Sequence, residues 1–174
     1  VLREREKVDE TRLKRNLGII DSDGDITYLK TKTWNKTGES SIPEKEIKGK
    51  KIGDKVIVKD KIKGGFGKKR ENYTLLSPLE AKYLKSKKIL SVQNINGIDD
   101  KMYTVYSDLR DSKLCPKTGF KFGSSFRVYK SINEKHSDYL VEIQTKNIDA
   151  KDIAGKTRLA HSVKKKSILA FIKE

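Results

Sequence analysis

KTGFKFGSSFRVYK at residues 117–130, DYLVEIQ at residues 138–144 and SILAFI at residues 167–172 are the stretches that decide the fold. Each is rich in β-branched and aromatic residues, which favour strands. The sequence therefore predicts four strands: Lys117–Phe122, Ser125–Lys130, Asp138–Gln144 and Ser167–Ile172.

Two amphipathic helices are predicted beside these strands. Apolar residues recur at helical spacing over Asp100–Ser112 and again over residues 149–164, where Asp149 is the expected N-cap. Helix, strands, helix and strand in this order are typical of a small mixed α/β (α+β) domain, which we assign to residues 93–174.

A smaller mixed α+β domain is predicted over residues 47–92. KIGDKVIV at residues 51–58 follows a turn and has the composition of a strand. Ser77, Pro78 and Glu80 together predict the start of a helix. Serine caps a helix, proline fits its first turn, and glutamate three residues after the cap can bond back to it.

The first 46 residues are predicted to contain a hairpin and a linker. LGII at residues 17–20 and ITYL at residues 26–29 are β-prone runs around the acidic turn DSDGD at residues 21–25. The turn faintly resembles a calcium loop, but Lys32 stands where such a loop ends in glutamate. We assign the hairpin segment to residues 1–36 and the linker to residues 37–46.

The chain is strongly basic, since 40 lysines and arginines against 24 aspartates and glutamates give a net charge of +16. Such a charge indicates a polyanionic partner, because released counterions then contribute to binding. A surface adapted to heat or to high solubility is the alternative. No apolar run reaches the roughly 20 residues that span a bilayer, and the N-terminus is not signal-like. We therefore expect a cytoplasmic protein without a membrane partner.

No metal site and no cofactor are expected. The chain contains one cysteine, Cys115, and two histidines, which are too few donors for a structural zinc site. The glycine-rich stretch at residues 64–67 lacks the lysine and the serine or threonine that complete a Walker phosphate-binding loop. Chemistry without a metal is the starting assumption.

Three motifs lie in the C-terminal half of the chain: KTGFKFG followed by FRVY (residues 117–129), HSDYLV (residues 136–141) and RLAHSVKKK (residues 158–166). Their order and spacing resemble the archaeal-type tRNA-intron endonuclease family. The resemblance covers roughly residues 103–172 and, more weakly, residues 47–92. It implies a nuclease-like C-terminal domain with a mixed sheet flanked by helices.

The activity implied by the resemblance is tRNA splicing. Introns are excised from precursor tRNA at bulge–helix–bulge motifs without a metal, leaving 2′,3′-cyclic phosphate and 5′-OH ends. The resemblance places the catalytic residues on Tyr129, His136 and Lys165. Without the motifs, each would be an ordinary packing or surface residue.

The three residues have separate expected roles in an attack of a ribose 2′-OH on the neighbouring phosphorus. His136 protonates the leaving 5′ oxygen, because an imidazole can hold a proton near neutral pH. A phenol is a poor base at neutral pH, so Tyr129 is either activated by nearby lysines or orients the hydroxyl. Lys165 stabilises the negative charge of the transition state.

Arg158, Lys164 and Lys166 are the expected RNA-binding residues. Arg158 lies seven residues before Lys165, two helical turns back along roughly the same face. In the family, an arginine that matches this position stacks on a bulged base. A phosphate contact or plain surface charge is the alternative for Arg158.

Family members continue past the lysine strand into an acidic hairpin and a last strand, which this sequence lacks at its end. A similar segment lies at the front instead, with Leu13 where a catalytic lysine belongs. We therefore expect residues 1–36 to end a preceding non-catalytic unit, and both chain ends to be cut from a longer tandem polypeptide. Asp21, Asp23 and Asp25 are then assembly residues that dock into a basic groove of a partner unit in a homo- or hetero-oligomer.

Two other functions stay open at this point. A non-catalytic RNA-binding or structural subunit of such an assembly would not need all three catalytic residues. A metal-dependent DNA nuclease on a related fold would use Asp138 and Glu142 to hold magnesium, but Gln144 stands where its lysine belongs.

Overall fold

The computed structural model describes residues 15–20, 26–28, 46–144 and 148–172, the first two ranges by their backbone only. Contacts divide the chain into two compact units, one formed by residues 1–31 with 116–174 and the other by residues 32–115. The domain limits derived from the sequence stay predictions.

Both units contain helices and strands, which confirms the predicted α+β class. The strands are β1 (Arg15–Ile20), β2 (Ile26–Tyr28), β3 (Ile47–Ile52), β4 (Lys55–Val58), β5 (Lys68–Lys69), β6 (Thr74–Leu76), β7 (Leu90–Ser91), β8 (Cys115–Thr118), β9 (Phe126–Tyr129), β10 (Tyr139–Gln144) and β11 (Lys166–Ile172), and the helices are α1 (Pro78–Ser86), α2 (Asp100–Asp111) and α3 (Ala150–Ser162). Within the described part of the chain, no helix has the length and apolar character needed to cross a membrane.

The first unit is built on a mixed sheet with the strand order β2-β1-β11-β10-β9-β8. β10 and β11 run parallel and are connected by α3, whereas β9 pairs antiparallel with β10. Residues 167–170 of β11 are buried in succession, so this strand is covered on both faces, as central strands of such sheets are. Other buried apolar residues of the sheet include Pro116 of β8, Phe126, Val128, Leu140 and Val141.

The second unit has a five-stranded sheet in the order β5-β6-β4-β3-β7, with α1 and α2. Its core packs Val56 and Val58 of β4 against Leu84 of α1. The predicted start of α1 is confirmed as a capping box: Glu80 N donates to Ser77 Oγ at 3.3 Å, and Ser77 N donates to Glu80 Oε2 at 2.9 Å. The N-cap Asp149 predicted for α3 is confirmed in the first unit.

The predicted strand Lys117–Phe122 is wrong in its second half. β8 ends at Thr118, and Phe120–Phe122 form a 3-10 turn. Close approach of the backbone explains the turn, because a Cβ on Gly119 would lie 2.6 Å from Ser124 O. Gly123 completes the turn at φ +63°, a left-handed conformation that favours glycine.

Each of the three α-helices is followed, two residues after its last residue, by a lysine in the left-handed conformation: Lys88 at φ 58°, Lys113 at φ 61° and Lys164 at φ 55°. After α3, Lys165 N donates to Ala160 O at 2.8 Å and Lys164 N donates to His161 O at 2.9 Å, which are the two bonds of a Schellman motif. Glycine is usual at this position. A lysine strains the backbone there but places a cation near the helix C-terminus, where the helix dipole favours it.

The predicted N-terminal strands are confirmed as an antiparallel pair of β1 and β2. β1 also pairs antiparallel with β11, so that Ile20 lies opposite Ser167. These two strands therefore extend the same sheet that contains β9 and β10. Asp21, Asp23 and Asp25 lie outside the described residues, and their role in assembly stays a prediction.

Gly67→Ala should destabilise the second unit more than Gly53→Ala does. Both glycines have left-handed backbones, at φ +66° and +59°, so both variants carry a conformational cost of roughly 1–2 kcal/mol. A Cβ on Gly67 would lie 2.5 Å from Thr74 Cγ2 and 2.8 Å from Leu75 O, whereas a Cβ on Gly53 meets nothing within 4 Å. We expect an additional loss of about 1–3 kcal/mol in urea unfolding for Gly67→Ala. Equal losses in the two variants would contradict this packing.

Candidate active site

Three segments of the first unit meet at one edge of its sheet. Tyr139 and Lys166, the first residues of β10 and β11, are paired with each other, and Tyr139 is also paired with the penultimate residue of β9. The next register position toward this end of the strands holds Asp138, which therefore lies between Tyr129 and Lys165. With neighbouring strands about 4.8 Å apart, the backbones at Tyr129 and Lys165 lie about 10 Å apart.

Tyr129 ends β9, and its side chain is half-buried. Burial alternates along this strand, so Phe126 and Val128 enter the core while Arg127 and Tyr129 lie on the other face. The guanidinium carbon of Arg127 lies 5.8 Å from the centre of the Tyr129 ring, which is a cation–π distance. The phenol therefore lies beside a positive charge at the border between core and solvent.

His136 is the last exposed residue before the chain enters the sheet. Residues 131–136 are all exposed, whereas Ser137 is buried. A short turn shapes the loop, in which Asn133 N donates to Ser131 Oγ at 3.2 Å. The imidazole is therefore accessible to a large molecule that approaches this edge from solvent.

Lys165 lies between α3 and β11 and is half-buried. Its Nζ donates to Ser137 O at 2.7 Å and lies 5.6 Å from the centre of the Phe122 ring. This hydrogen bond joins the lysine to the loop of His136 and uses one of the three N–H groups of the ammonium. Because the acceptor is a neutral carbonyl, the bond does not neutralise the charge of Lys165.

The predicted helical relation between Arg158 and Lys165 is wrong. α3 ends at Ser162, and Lys164 turns the chain at φ 55°. Lys165 is therefore outside the helix, and the two-turn spacing does not apply to it. Arg158 is exposed on α3, whereas Lys164 and Lys166 are exposed on either side of Lys165 in the chain.

Asp138 binds both neighbouring segments, which the sequence did not reveal. Its N–H donates to Val128 O at 2.9 Å, and its Oδ2 accepts from Lys130 N at 3.3 Å. On the other side, Lys166 N donates to Asp138 O at 2.9 Å. Its position directly before a strand was the available signal, because aspartates there often bond to nearby backbone.

Asp138, Glu134 and Lys130 shift one another's pKa values. Burial acts to raise the pKa of Asp138, but hydrogen bonds from Glu134 and Lys130 outweigh burial and hold this pKa below its usual value. The hydrogen bond with Asp138 in turn raises the pKa of Glu134 and the pKa of Lys130. At neutral pH, Asp138 is therefore an anion in contact with the Lys130 cation.

The two carboxylates that the metal-dependent alternative needs are both paired with lysines. Asp138 pairs with Lys130 at 3.2 Å, and Glu142 pairs with Lys156. Among the side chains that the structure describes, no group of three His, Cys, Asp or Glu residues could hold a metal ion. In this arrangement the two carboxylates stabilise the sheet edge and the packing of α3.

The edge therefore presents a phenol, an imidazole and an ammonium to solvent. A phenol and an imidazole can exchange protons with a substrate, and an ammonium can stabilise a developing negative charge. Such a set suits acid–base cleavage of an anionic ester.

A sequence model of the family described as "tRNA intron endonuclease, catalytic C-terminal domain" matches residues 100–174. A tRNA-splicing endonuclease of Methanococcus vannielii is 34% identical over 75% of this chain and 89% of the relative. A tRNA-splicing endonuclease of Thermococcus kodakarensis is 39% identical over 63% of this chain and 76% of the relative. For a tRNA-splicing endonuclease of Methanosarcina barkeri the identity is 33% over 91% of this chain but 55% of the relative, so the chain spans about half of that longer protein.

Lys130→Met should raise the pKa of Asp138 toward that of an ordinary aspartate, because it removes a hydrogen bond and a positive charge from the carboxylate. A carboxyl group with a lowered pKa contributes stability above its unfolded value, and this contribution is lost as the pH falls through the folded value. The variant should therefore be less stable than the wild type at neutral pH, and this difference in the free energy of unfolding should shrink at pH 2. A carboxyl ¹³C NMR titration measures the pKa, and Lys135→Met, in the same exposed loop, is the control. An unchanged titration of Asp138 in Lys130→Met would contradict the described ion pair.

Proposed function

The chain belongs to the tRNA intron endonuclease family, and on that premise we propose that it cuts introns out of precursor tRNA. The observation that carries this proposal is the meeting of Tyr129, the loop of His136 and Lys165 at one sheet edge. We further propose cleavage at bulge–helix–bulge motifs, without a metal, to 2′,3′-cyclic phosphate and 5′-OH ends.

The proposed chemistry assigns one task to each residue. His136, exposed at the end of its loop, protonates the leaving 5′ oxygen. Lys165 stabilises the negative charge on the phosphorus, because its ammonium keeps donors beyond the one bonded to Ser137 O. Tyr129 contacts the attacking 2′-OH as a base or by orienting it, and its ring lies 5.8 Å from the guanidinium carbon of Arg127.

The surrounding cations support an RNA substrate. Lys164 and Lys166 are exposed on both sides of Lys165, and Arg158 is exposed on the preceding helix. We propose that the two lysines bind phosphates and that Arg158 stacks on an unpaired base, as a planar guanidinium can. A bulge–helix–bulge has two cleavage positions, so the proposal includes an oligomer with two active sites.

His136→Ala should lower the cleavage rate of a bulge–helix–bulge RNA by about 100-fold or more, because the leaving oxygen loses its proton donor. The assay contains EDTA and the assembled protein, and mass spectrometry of the 5′ fragment identifies the cyclic phosphate. His161→Ala is the matched control, since it removes the other histidine, which lies exposed on α3, and it should cleave like the wild type.

Each alternative function predicts a different result in this assay. Wild-type protein that binds the RNA without cutting it would identify the chain as a non-catalytic subunit. Activity that disappears in EDTA would support the metal-dependent alternative. Equal losses in His136→Ala and His161→Ala would remove the acid role from His136.

Arg158→Ala should raise KM several-fold. The corresponding loss of RNA-binding free energy is about 1 kcal/mol or more, because one stacked base contact contributes about 1–3 kcal/mol. kcat should change little, since Arg158 lies on α3 and outside the edge that holds the reacting groups. Lys151→Ala, which removes an exposed cation from the first turn of the same helix, is the control for charge alone. Equal effects in the two variants would show that Arg158 contributes only its positive charge and does not stack on a base.

A further inference from the structure

Ser137 and Asp138 together contact every segment of the candidate active site. They directly follow His136 in the chain, and their hydrogen bonds reach β9 on one side and the start of β11 on the other. The inference drawn from this arrangement rests on the proposed function, because it concerns how the three proposed catalytic residues are held.

The backbone at Tyr129 is held by Asp138 from both sides. The last residue of β9 that is paired with β10 is Val128, opposite Tyr139. Val128 O accepts from Asp138 N at 2.9 Å, and beyond Tyr129 the N–H of Lys130 donates to Asp138 Oδ2 at 3.3 Å. The carboxylate therefore continues the pairing for one residue past the sheet, where an exposed loop would otherwise begin.

The backbone at Lys165 is fixed to the same dipeptide. Lys166 N donates to Asp138 O at 2.9 Å, which sets the parallel register of β10 and β11 at their first residues. Lys165 Nζ donates to Ser137 O at 2.7 Å. These bonds use backbone acceptors and survive any side chain at position 138, whereas the bond to Lys130 N depends on the Asp138 carboxylate alone.

Both oxygens of the Asp138 carboxylate have a partner in Lys130. Oδ1 pairs with Lys130 Nζ at 3.2 Å, and Oδ2 accepts from Lys130 N at 3.3 Å. A carboxylate held in this way is suited to fixing a loop rather than to reacting with a substrate.

We propose that Asp138 is the positioning residue of this active site. Its Oδ2 accepts the Lys130 N–H and thereby fixes the end of β9, so that the phenol of Tyr129 meets the attacking hydroxyl while His136 and Lys165 meet the leaving oxygen and the phosphate. Asparagine can take over this bond because its amide oxygen is also an acceptor, but alanine cannot.

Asp138→Ala should lower kcat for the bulge–helix–bulge RNA by about 10- to 100-fold, because a misplacement of about 1 Å at a reacting group has an effect of this size. KM should stay within about twofold, since the substrate-binding cations are unchanged. Asp138→Asn should recover most of the lost kcat. Asp100→Ala, which breaks the 3.2 Å ion pair of Asp100 with Lys82 in the second unit, should behave like the wild type.

Hydrogen exchange at the Lys130 amide gives a readout that does not depend on cleavage. The exchange should accelerate in Asp138→Ala and stay slow in Asp138→Asn. The proposal is overturned if exchange at Lys130 is equal in all variants, if Asp138→Ala raises KM with kcat unchanged, or if Asp138→Asn is as slow in cleavage as Asp138→Ala. Wild-type protein that cuts no RNA would reject the proposed function instead, and the exchange data would still decide whether Asp138 holds β9.

Discussion

The pairing of β10 with its two neighbours at their common edge is the constraint on which the site depends. Asp138 N bonds back to β9 and Asp138 O accepts from the first residue of β11. One residue is thus shared between an antiparallel pair and a parallel pair. Because both registers are fixed at the same point, a shift in either pairing would move Tyr129 or Lys165 by a full residue and to the opposite face of the sheet.

The tight turn after α3 allows β11 to begin only a few residues after the helix and to pair in parallel with β10. A parallel strand needs a crossover, and here the chain leaves the helix at Ser162 and begins β11 at Lys166. The left-handed Lys164 reverses the direction of the backbone, and two hydrogen bonds of the Schellman motif hold the reversal. The same ending with lysine occurs after α1 and α2, so this conformation belongs to the construction of the helices and is not specific to the site.

Electrostatics separates the structural charges from those that are free for a substrate. Asp138 and Glu142 are paired with Lys130 and Lys156 at the sheet. Lys165 instead bonds to a neutral carbonyl. In the part of the chain that the structure describes, the carboxylates near this edge are therefore used to hold strands and helix, and the positive charge of Lys165 is available to an anion. A basic chain with a net charge of +16 attracts such an anion over longer distances as well.

The amino-acid sequence determined most of the local elements and the identity of the proposed catalytic side chains. The capping residues Ser77 and Asp149 mark helix starts by hydrogen bonds within four residues, so they can be read directly from the sequence. The motifs around Tyr129, His136 and Lys165 likewise identify the proposed catalytic side chains, but they do not show how these side chains are arranged in space. The 3-10 turn after β8 was missed, because it depends on how closely Ser124 approaches Gly119.

Only the tertiary structure decided how the proposed catalytic groups are held. Ser137 and Lys165 are 28 residues apart in the chain, and their hydrogen bond exists because β10 and β11 are paired in one register. The sequence around Asp138 is compatible with three roles of its carboxylate: binding a metal, facing solvent or holding β9. Its role follows from the strand pairing, since the register sets which backbone groups come within hydrogen-bond distance of its carboxylate.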